Sequence, residues 1–463
     1  MKGLRLLAAL LALVMLAAAC GRSDDDSAGN SDETSSSSIG GSGAKSADFG
    51  TLTDVCQPGD GGGATATGVT ADSIRVGTIS DPGFAGRPGL NQELFDTAEV
   101  FTQWCNDRGG INGRTIQVHK LDAALFDYKP KILEACAVDF YLVGGGAVFD
   151  NTGVEDRLNC LLPDVAAYVV TPEARGADLL TQPVPNSGEV LPVGDYKWLA
   201  KTYPDSTDKV GVLTGNLPAT ITTAEQAEEA VTSLDWDVVY SDLYPPTGPT
   251  SWAPYVQALK DRGVKGLIWV GEPENLAKFQ QAMVDGAYEL DWIRTDANHY
   301  DAKLIDVGGA AIKNTFIRSV FHPFADASEN PATEQYLEAF AEYLPDGKAE
   351  AYLGLQAWSA WLLWAKAAKE CGADLTRKCV YDNLQTVTEW TGGGLHSVQN
   401  PGDNTPGACF TLIEATPTGF ELADIDPNDG IYSCNPKNLY TLTGEYGKGV
   451  TLQDVGKKQS DLK

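Results

Sequence analysis

Ten residues could bind a small molecule, and all of them except Asp296 lie in or beside a loop that begins where a predicted strand ends. They are Ser80, Asp81, Phe84, Gly146, Ala147, Phe149, Asn216, Thr220, Glu272 and Asp296. Open α/β sheets bind ligands beyond the carboxyl ends of their strands. The sequence therefore predicts a ligand-binding site that holds a small polar molecule by hydrogen bonds and charge.

Several candidates also have a purely structural interpretation. Phe84 could pack in the core, and the glycines around Gly146 could serve close packing between a strand and a helix. Asn216 and Thr220 could cap the next helix, and Glu272 and Asp296 could be solvated carboxylates. These alternatives stay open at the level of sequence.

Residue patterns typical of catalysis or metal binding are missing from the sequence. The four histidines have no spacing such as HExxH, and no GxSxG or CxxC motif occurs. Gly144, Gly145 and Gly146 could surround a phosphate, but no Gly-Lys-Ser/Thr follows them, which argues against a P-loop. The sequence therefore predicts a binding protein that is not an enzyme and that has no metal or cofactor.

The elements that position the first candidates lie within residues 74–124. A β-branched strand is followed by an irregular loop and a helix in which Leu94, Ala98, Phe101 and Cys105 are spaced on one face. After a glycine turn, a second strand alternates apolar and polar residues to Asp122. A strand-helix-strand unit implies parallel strands joined by a right-handed crossover.

This unit resembles a known family. The turn RGGINGR at 108–114, with Asp122 beyond the second strand, is similar to the first βαβ unit of type I periplasmic binding proteins. The resemblance is to the branched-chain amino-acid-binding branch, which delivers ligands to ABC importers, and its pattern of elements continues to about residue 420. It implies an α/β fold with two Rossmann-like lobes, whose parallel-rich sheets are joined by a hinge of several crossings.

The resemblance also implies roles for some candidates. The glycine loop with Gly146, Ala147 and Phe149 would offer backbone N–H groups to a ligand carboxylate, and Asp296 would pair with a ligand ammonium group. However, the first loop, DPGFAGRPG, lacks the Thr-Gly of amino-acid binders, and the C-terminal segment is long. The identity of the ligand therefore stays open.

Alternation of strands and helices predicts the lobes. Further strands are expected at 138–143, 166–170, 209–214, 236–241 and 266–270, with helices near 190–203, 222–234, 252–262, 275–286 and 349–369. Chain crossings are expected at 182–188 and 316–324. We expect the first lobe at 51–187 and 318–395, the second at 188–317, and a C-terminal segment at 396–463 that belongs partly to the second lobe. Trp358, Trp361 and Trp364 recur every three residues in one helix, which favours packing within a lobe.

The N-terminus has the pattern of an exported lipoprotein. Lys2 and Arg5 precede an apolar run that ends in Ala-Ala-Ala-Cys20, which resembles a lipobox. We expect residues 1–19 to be removed and Cys20 to be lipidated, with an ordinary signal peptide as the alternative. Residues 20–50 are rich in Ser, Gly and Asp and predict a flexible tether. The protein should therefore lie extracytoplasmically, on the outer face of the cell membrane.

Eight cysteines remain after Cys20, and an even number in an exported chain predicts disulfide bonds. If two successive helices lie in one layer, their apolar faces would bring Cys105 close to Cys136. Cys371 and Cys379 flank a turn, and Cys409 and Cys434 flank a predicted hairpin. Elimination leaves Cys56 with Cys160.

The sequence thus favours a solute-binding protein that captures a small polar ligand, an amino acid or an amide-like compound, and presents it to an ABC permease and ATPase. A formal net charge of -29 argues against nucleic acid and anionic lipid as partners. We expect a monomer. A ligand sensor for a membrane signalling partner and a secreted hydrolase are the alternatives.

Overall fold

The computed structural model describes residues 45–463. The predicted signal peptide, the predicted lipidation site Cys20 and most of the predicted tether lie outside the described residues. Within residues 45–463, every helix is too short or too polar to cross a lipid bilayer.

The first sheet has the strand order β2-β1-β3-β4-β5, and all its pairings are parallel. Its strands are β1 (Ser73–Ser80), β2 (Thr115–Asp122), β3 (Tyr141–Val143), β4 (Asp164–Val165) and β5 (Leu180–Thr181). The helices between them are α1 (Gln92–Asn106), α2 (Tyr128–Val138), α3 (Val154–Asn159) and α4 (Pro172–Arg175). We call this sheet and the helices packed on it the first lobe.

A second sheet forms the core of the second lobe. The intervening strand β6 (Val190–Pro192) precedes it, and its own strands are β7 (Val210–Gly215), β8 (Val238–Tyr244), β9 (Gly266–Val270), β10 (Trp292–Thr295), β11 (Thr315–Ser319), β12 (Cys409–Thr416), β13 (Gly419–Leu422) and β14 (Ser433–Cys434). The order is β13-β12-β11-β10-β9-β7-β8, with β14 paired to β12, and β12 is antiparallel to its neighbours. All five residues of β9 are buried, as expected for a parallel strand covered on both faces.

Helices cover the second sheet and then return the chain to the first lobe. The second-lobe helices are α5 (Gly194–Thr202), α6 (Pro218–Thr232), α7 (Ala253–Arg262), α8 (Pro273–Asp285) and α9 (Ala302–Gly308). The helices after β11 are α10 (Pro331–Tyr343), α11 (Tyr352–Glu370) and α12 (Arg377–Gln385). Helix α11 packs on α1, β3 and β4, with Trp358, Trp361 and Trp364 fully buried. The packing role expected for the three tryptophans is confirmed.

The C-terminal segment contacts both lobes. Its strand β15 (Leu439–Thr441) pairs with β6, and Glu229 of α6 then binds residues 443–446. Farther on, the carbonyl of Val450 accepts a hydrogen bond from Asp178, and Leu452 and Leu462 join an apolar cluster of the first lobe. The chain therefore passes between the lobes again after β15.

Several predicted elements differ from the structure. Residues 166–170 were expected to form a strand but follow the two-residue strand β4 as a loop, and residue 138 ends α2 instead of beginning β3. Residues 190–192 were expected in a helix, yet they form β6 because β15 supplies a distant pairing partner. The segment expected to cross at 316–324 begins within β11 of the second sheet, and the return follows it.

Two predicted disulfide bonds were wrong. The structure pairs Cys56 with Cys105 and Cys136 with Cys160, instead of Cys105 with Cys136 and Cys56 with Cys160. The expectation that α1 and α2 share one layer fails because β3 lies on the opposite side of β1 from β2. A reversal of strand order combined with right-handed crossovers places the two helices on opposite faces of the sheet.

Side-chain packing shows this separation directly. Ile74 and Val76 of β1 pack in the cluster that contains α1, whereas Ile79 packs in the cluster that contains α2. Ile74 and Val76 occupy even positions of β1 and Ile79 an odd position, so their side chains point to opposite faces of the sheet. The other two predicted pairs, Cys371–Cys379 and Cys409–Cys434, are both present.

Candidate ligand-binding site

A cavity of about 320 Å³ lies between the lobes, beyond the carboxyl ends of the parallel strands. The first lobe contributes residues after β1, the loop 167–170 and the connection 182–186. The second lobe contributes 269–272 at the end of β9 and residues within 294–301 at the end of β10. Both sheets therefore present strand ends to one shared space, which is the position expected for a ligand in an open α/β fold.

The structure brings three of the predicted site residues together at this cavity, namely Thr220, Glu272 and Asp296. The remaining candidates do not line it. They are Ser80, Asp81, Phe84, Gly146, Ala147, Phe149 and Asn216.

Ser80 and Asp81 stabilise the loops of the first lobe. The Ser80 hydroxyl donates to the carbonyl of Asn91 at 2.9 Å. The buried carboxylate of Asp81 accepts hydrogen bonds from the backbone N–H groups of Leu125 at 2.7 Å and Val148 at 2.9 Å. Burial raises the pKa of Asp81, and these two bonds oppose the shift. The two side chains therefore join the loop after β1 to the neighbouring loops.

The two aromatic candidates pack with each other through Phe126. Phe84 meets Phe126 edge-on at 6.0 Å between ring centroids, and Phe126 stacks on Phe149 at 5.6 Å. Phe126 itself is 70% exposed, so the three rings form a surface cluster outside the cavity.

The glycine loop uses alternate N–H groups for its own structure. The N–H groups of Gly144 and Gly146 donate to the backbone carbonyls of Val165 and Ile79. The N–H group of Val148 donates to the Asp81 carboxylate. A Cβ atom on Gly146 would lie 2.4 Å from the Tyr168 ring, which is much closer than van der Waals contact. Close packing thus accounts for glycine at 146, and Ala147 beside it is fully buried.

Asn216 and Thr220 flank the start of α6. Asn216 is exposed, and its backbone N–H donates to the carbonyl of Tyr244. The Thr220 hydroxyl donates to the carbonyls of Gly215 at 2.5 Å and Leu217 at 2.9 Å. Leu217 occupies the N-cap position and its side chain makes no capping bond, so neither polar residue is the cap of this helix.

The acidic candidates are already paired with arginines. Glu272 forms an ion pair with Arg87, which also binds Glu274 at 2.8 Å. Asp296 accepts a hydrogen bond from Arg294 at 2.9 Å, and Arg294 binds Asp195 at 2.7 Å on its other side. Desolvation alone would raise the pKa of Asp296, but the charges of Arg294 and Arg318 outweigh it and lower that pKa.

Arginines are the functional candidates that sequence reasoning missed. Arg87, Arg175, Arg294 and Arg318 all line the cavity. Arg294 and Arg318 stand inside the apolar strand sequences WIRT and TFIRS. A charged residue inside a buried strand is rare unless it is paired, and that signal could have identified both.

Tyr168 and several amides complete the lining. The Asn91 amide donates to the Tyr168 hydroxyl at 2.6 Å, and the side chains of Gln182, Asn186 and Gln356 also reach the cavity. Among the described residues, no cluster of three or more His, Cys, Asp or Glu side chains could hold a metal ion. The arrangement provides charges, hydrogen-bond donors and hydrogen-bond acceptors for a non-covalent ligand.

Comparison with known proteins agrees with this arrangement. The sequence model of the family described as periplasmic binding protein matches residues 73–419. No curated protein matches the chain significantly.

Solved structures show the same fold at low sequence identity. A fatty acid ABC transporter substrate-binding protein from Thermomonospora curvata has a TM-score of 0.65 and 16% identity, covering 80% of this chain and 95% of its own. A leucine-binding protein from Thermotoga maritima has a TM-score of 0.62 and 14% identity, over 77% and 99% of the two chains. A branched-chain amino acid transporter substrate-binding protein from Streptococcus pneumoniae, solved with isoleucine, has a TM-score of 0.59 and 14% identity, over 76% and 99%. The chain therefore belongs to the periplasmic binding protein family, with the type I fold of ABC transporter substrate-binding proteins.

Proposed function

We propose that the protein captures a small polar organic molecule between its lobes and delivers it to an ABC importer, with an amino acid or an amide-like compound as the ligand class. The observation that carries the proposal is the interlobe cavity of about 320 Å³, lined by charged and amide side chains from both lobes. Leucine and isoleucine appear in the names of the Thermotoga and Streptococcus proteins, which supports a ligand of this size.

Hinge closure is the proposed mechanism. Ligand that contacts both lobes binds the closed form better and so shifts the population towards it. Three sets of polar contacts link the lobes here: Arg87 with Glu272 and Glu274, Lys348 with Asp301, and Arg175 with Gln226. The lobe boundaries expected from sequence, including the return at 318–395, are part of this proposal.

Lipid anchoring at Cys20 and delivery to a permease and ATPase are also proposals. The Ala-Ala-Ala-Cys20 sequence supports the anchor. Mass spectrometry of the N-terminal peptide from native membranes should find diacylglycerol on Cys20, and the variant Cys20→Ser should appear in the soluble fraction. Finding both forms equally soluble would contradict the anchor.

Ligand capture is tested by native mass spectrometry of gently purified protein, followed by thermal-shift screening against amino acids, amides, polyamines and sugars. A ligand that binds only the folded state stabilises it by about 2.7 kcal/mol at a hundred times its dissociation constant. A co-purified small molecule or a raised melting temperature is expected. If no small molecule co-purifies and no class of compound raises the melting temperature, small-molecule capture is contradicted and a protein partner is favoured.

A further inference from the structure

Two of the four arginines that line the cavity have no ion-pair partner among residues 45–463. Each of its four carboxylates already has a cationic partner within the described part of the chain: Lys348 binds Glu93 and Asp301, Arg87 binds Glu272, and Arg294 binds Asp296. By contrast, Arg175 and Arg318 line the same cavity and take part in no ion pair with residues 45–463. The free charges that face a ligand are therefore guanidinium groups.

Arg318 lies beside the Asp296 carboxylate but makes no hydrogen bond to it. The register of β10 and β11 pairs Phe316 with Arg294 and Ile317 with Thr295, so the next position places Arg318 beside Asp296. The Asp296 carboxylate, however, bonds to Arg294. The Nε atom of Arg318 is buried without a hydrogen-bond partner in the described chain. Burying a charged donor without a partner is costly, so an anion placed there would be bound favourably.

Arg175 faces the cavity from the first lobe. Its terminal nitrogens donate to the neutral acceptors Gln226 at 3.0 Å and Thr223 at 3.1 Å, both on α6 of the second lobe. Its Nε atom is buried and has no acceptor among residues 45–463. Arg175 thus already links the lobes through uncharged partners and keeps one donor for a ligand.

Apolar side chains line part of the cavity. Val169, Val184, Leu191 and Val320 lie on its walls, and Val320 follows Arg318 by two residues. A site for an inorganic anion would not need such walls, whereas an organic acid would bury its apolar body against them. Guanidinium groups match carboxylates through paired hydrogen bonds.

From these contacts, we propose that the ligand is an organic acid whose carboxylate binds Arg318, with Arg175 as a second donor, and whose apolar body lies against the valine-rich wall. This assignment rests on the proposed capture of a small polar molecule, and it narrows the ligand to one that carries a carboxylate. It differs from the role expected for Asp296, because a ligand ammonium group would meet a carboxylate that Arg294 already holds. The second lobe thus recognises a negative group.

The test compares organic acids with their matched amides and amines on the wild-type protein. Isovalerate, hexanoate and phenylacetate are each measured by thermal shift and calorimetry beside the amide and the amine of the same carbon skeleton. At least one acid should raise the melting temperature, and its amide and amine should bind about tenfold or more weakly.

Variants then locate the carboxylate. Arg318→Gln should weaken binding of the best acid about tenfold or more, and Arg318→Lys should retain part of the affinity. Arg75→Gln is the control and should bind the acid like the wild type, because Arg75 pairs with Asp139 away from the cavity. Full affinity in Arg318→Gln overturns the assignment. Because the acid-amide comparison uses the wild type, it stands even if that variant fails to fold.

The two proposals fail in different ways. If an amide or amine raises the melting temperature and no acid does, capture of a small ligand stands and the carboxylate assignment falls. If no compound of any class binds and native mass spectrometry finds no bound molecule, both fall.

Discussion

The Nε atom of Arg87 lies 2.8 Å from a carboxylate oxygen of Glu274, and this ion pair joins the loop after β1 in the first lobe to α8 in the second. Arg87 also pairs with Glu272. Lys348 makes a similar link, since it binds Glu93 of α1 at 2.9 Å and Asp301 at the start of α9 at 2.7 Å. Charge pairs across the cavity therefore link the first lobe to the second.

Removing the Arg87 charge should open the hinge. In Arg87→Gln, Glu272 and Glu274 lose their shared partner and repel each other across a partly buried space, so the closed form loses about 1.5–3 kcal/mol. We expect a larger radius of gyration for the ligand-free variant in small-angle X-ray scattering. Arg75→Gln is the matched control, because its pair with Asp139 lies within the first lobe. Identical scattering curves for wild type and Arg87→Gln would refute the role of this pair.

The C-terminal segment is held to α6 by one carboxylate. Glu229 accepts hydrogen bonds from the hydroxyls of Tyr440 and Tyr446 and from the backbone of Thr443 and Gly444. Burial opposes ionisation, but these bonds lower the pKa of Glu229 to about 2. A lowered folded-state pKa means that this stabilisation is present at neutral pH and is lost as pH falls from about 4.5 towards 2.

Glu229→Gln should therefore loosen the segment at neutral pH. An amide group offers one acceptor oxygen where the carboxylate offers two, so several donors of residues 440–446 lose their partner. We expect amide hydrogen exchange in 443–446 to accelerate about tenfold or more. Glu225→Gln changes an exposed side chain one turn earlier on α6 and should leave that exchange unchanged. Equal protection in both variants would show that other contacts hold the segment.

The disulfide bonds should differ in their contribution to stability because they close loops of different length. Cys56 and Cys105 are separated by 49 residues, and Cys371 and Cys379 by 8. Chain entropy then gives about 4 kcal/mol for the first and about 2.5 kcal/mol for the second. Cys56→Ala/Cys105→Ala should thus lower the melting temperature more than Cys371→Ala/Cys379→Ala does.

A non-reducing peptide map supplies the independent check on the pairing. It should recover the Cys56 peptide linked to the Cys105 peptide and the Cys136 peptide linked to the Cys160 peptide. A peptide that links Cys105 to Cys136 would contradict the placement of α1 and α2 on opposite faces of the first sheet.

Local sequence patterns predicted the elements whose partners are near in the chain. Strand β1, helix α1 and strand β2 were predicted in the right order, because their apolar spacing and the glycine turn after α1 are local signals. Strand β6 was not predicted, since its pairing with β15 depends on residues far along the chain. The positions of α1 and α2 depend on strand order, which local periodicity does not contain.

Three predicted site residues line the cavity, and two of them follow a strand, whereas Thr220 lies in the first turn of α6. Glu272 and Asp296 follow strands β9 and β10 and do line it. Arg318 lies within β11 and Arg175 within α4, so a search of loops after strands could not find them. Asp81 lies at a strand end too, but its backbone partners hold it in the first lobe. Position at a strand end is thus a useful guide, and the partners of each side chain decide its role.

Asp164 should make stability depend on pH in the opposite sense to most acids. Burial raises its pKa to about 7, with the Arg157 charge opposing and Asp150 adding to the shift. Between its ordinary pKa of 3.8 and the raised pKa of about 7, the folded state keeps a proton that the unfolded state has released, so this group's contribution to stability is lost as pH rises. The side chain of Asp164→Asn does not titrate, so the variant does not lose this stability as pH rises. We expect the variant to gain stability over wild type as pH increases from 4 to 8, by up to about 4 kcal/mol, measured by urea unfolding. Asp208→Asn removes a charge from an exposed position and should show no such trend, whereas a pH-independent difference for Asp164→Asn would mean that the buried carboxyl is ionised in the folded state throughout this range.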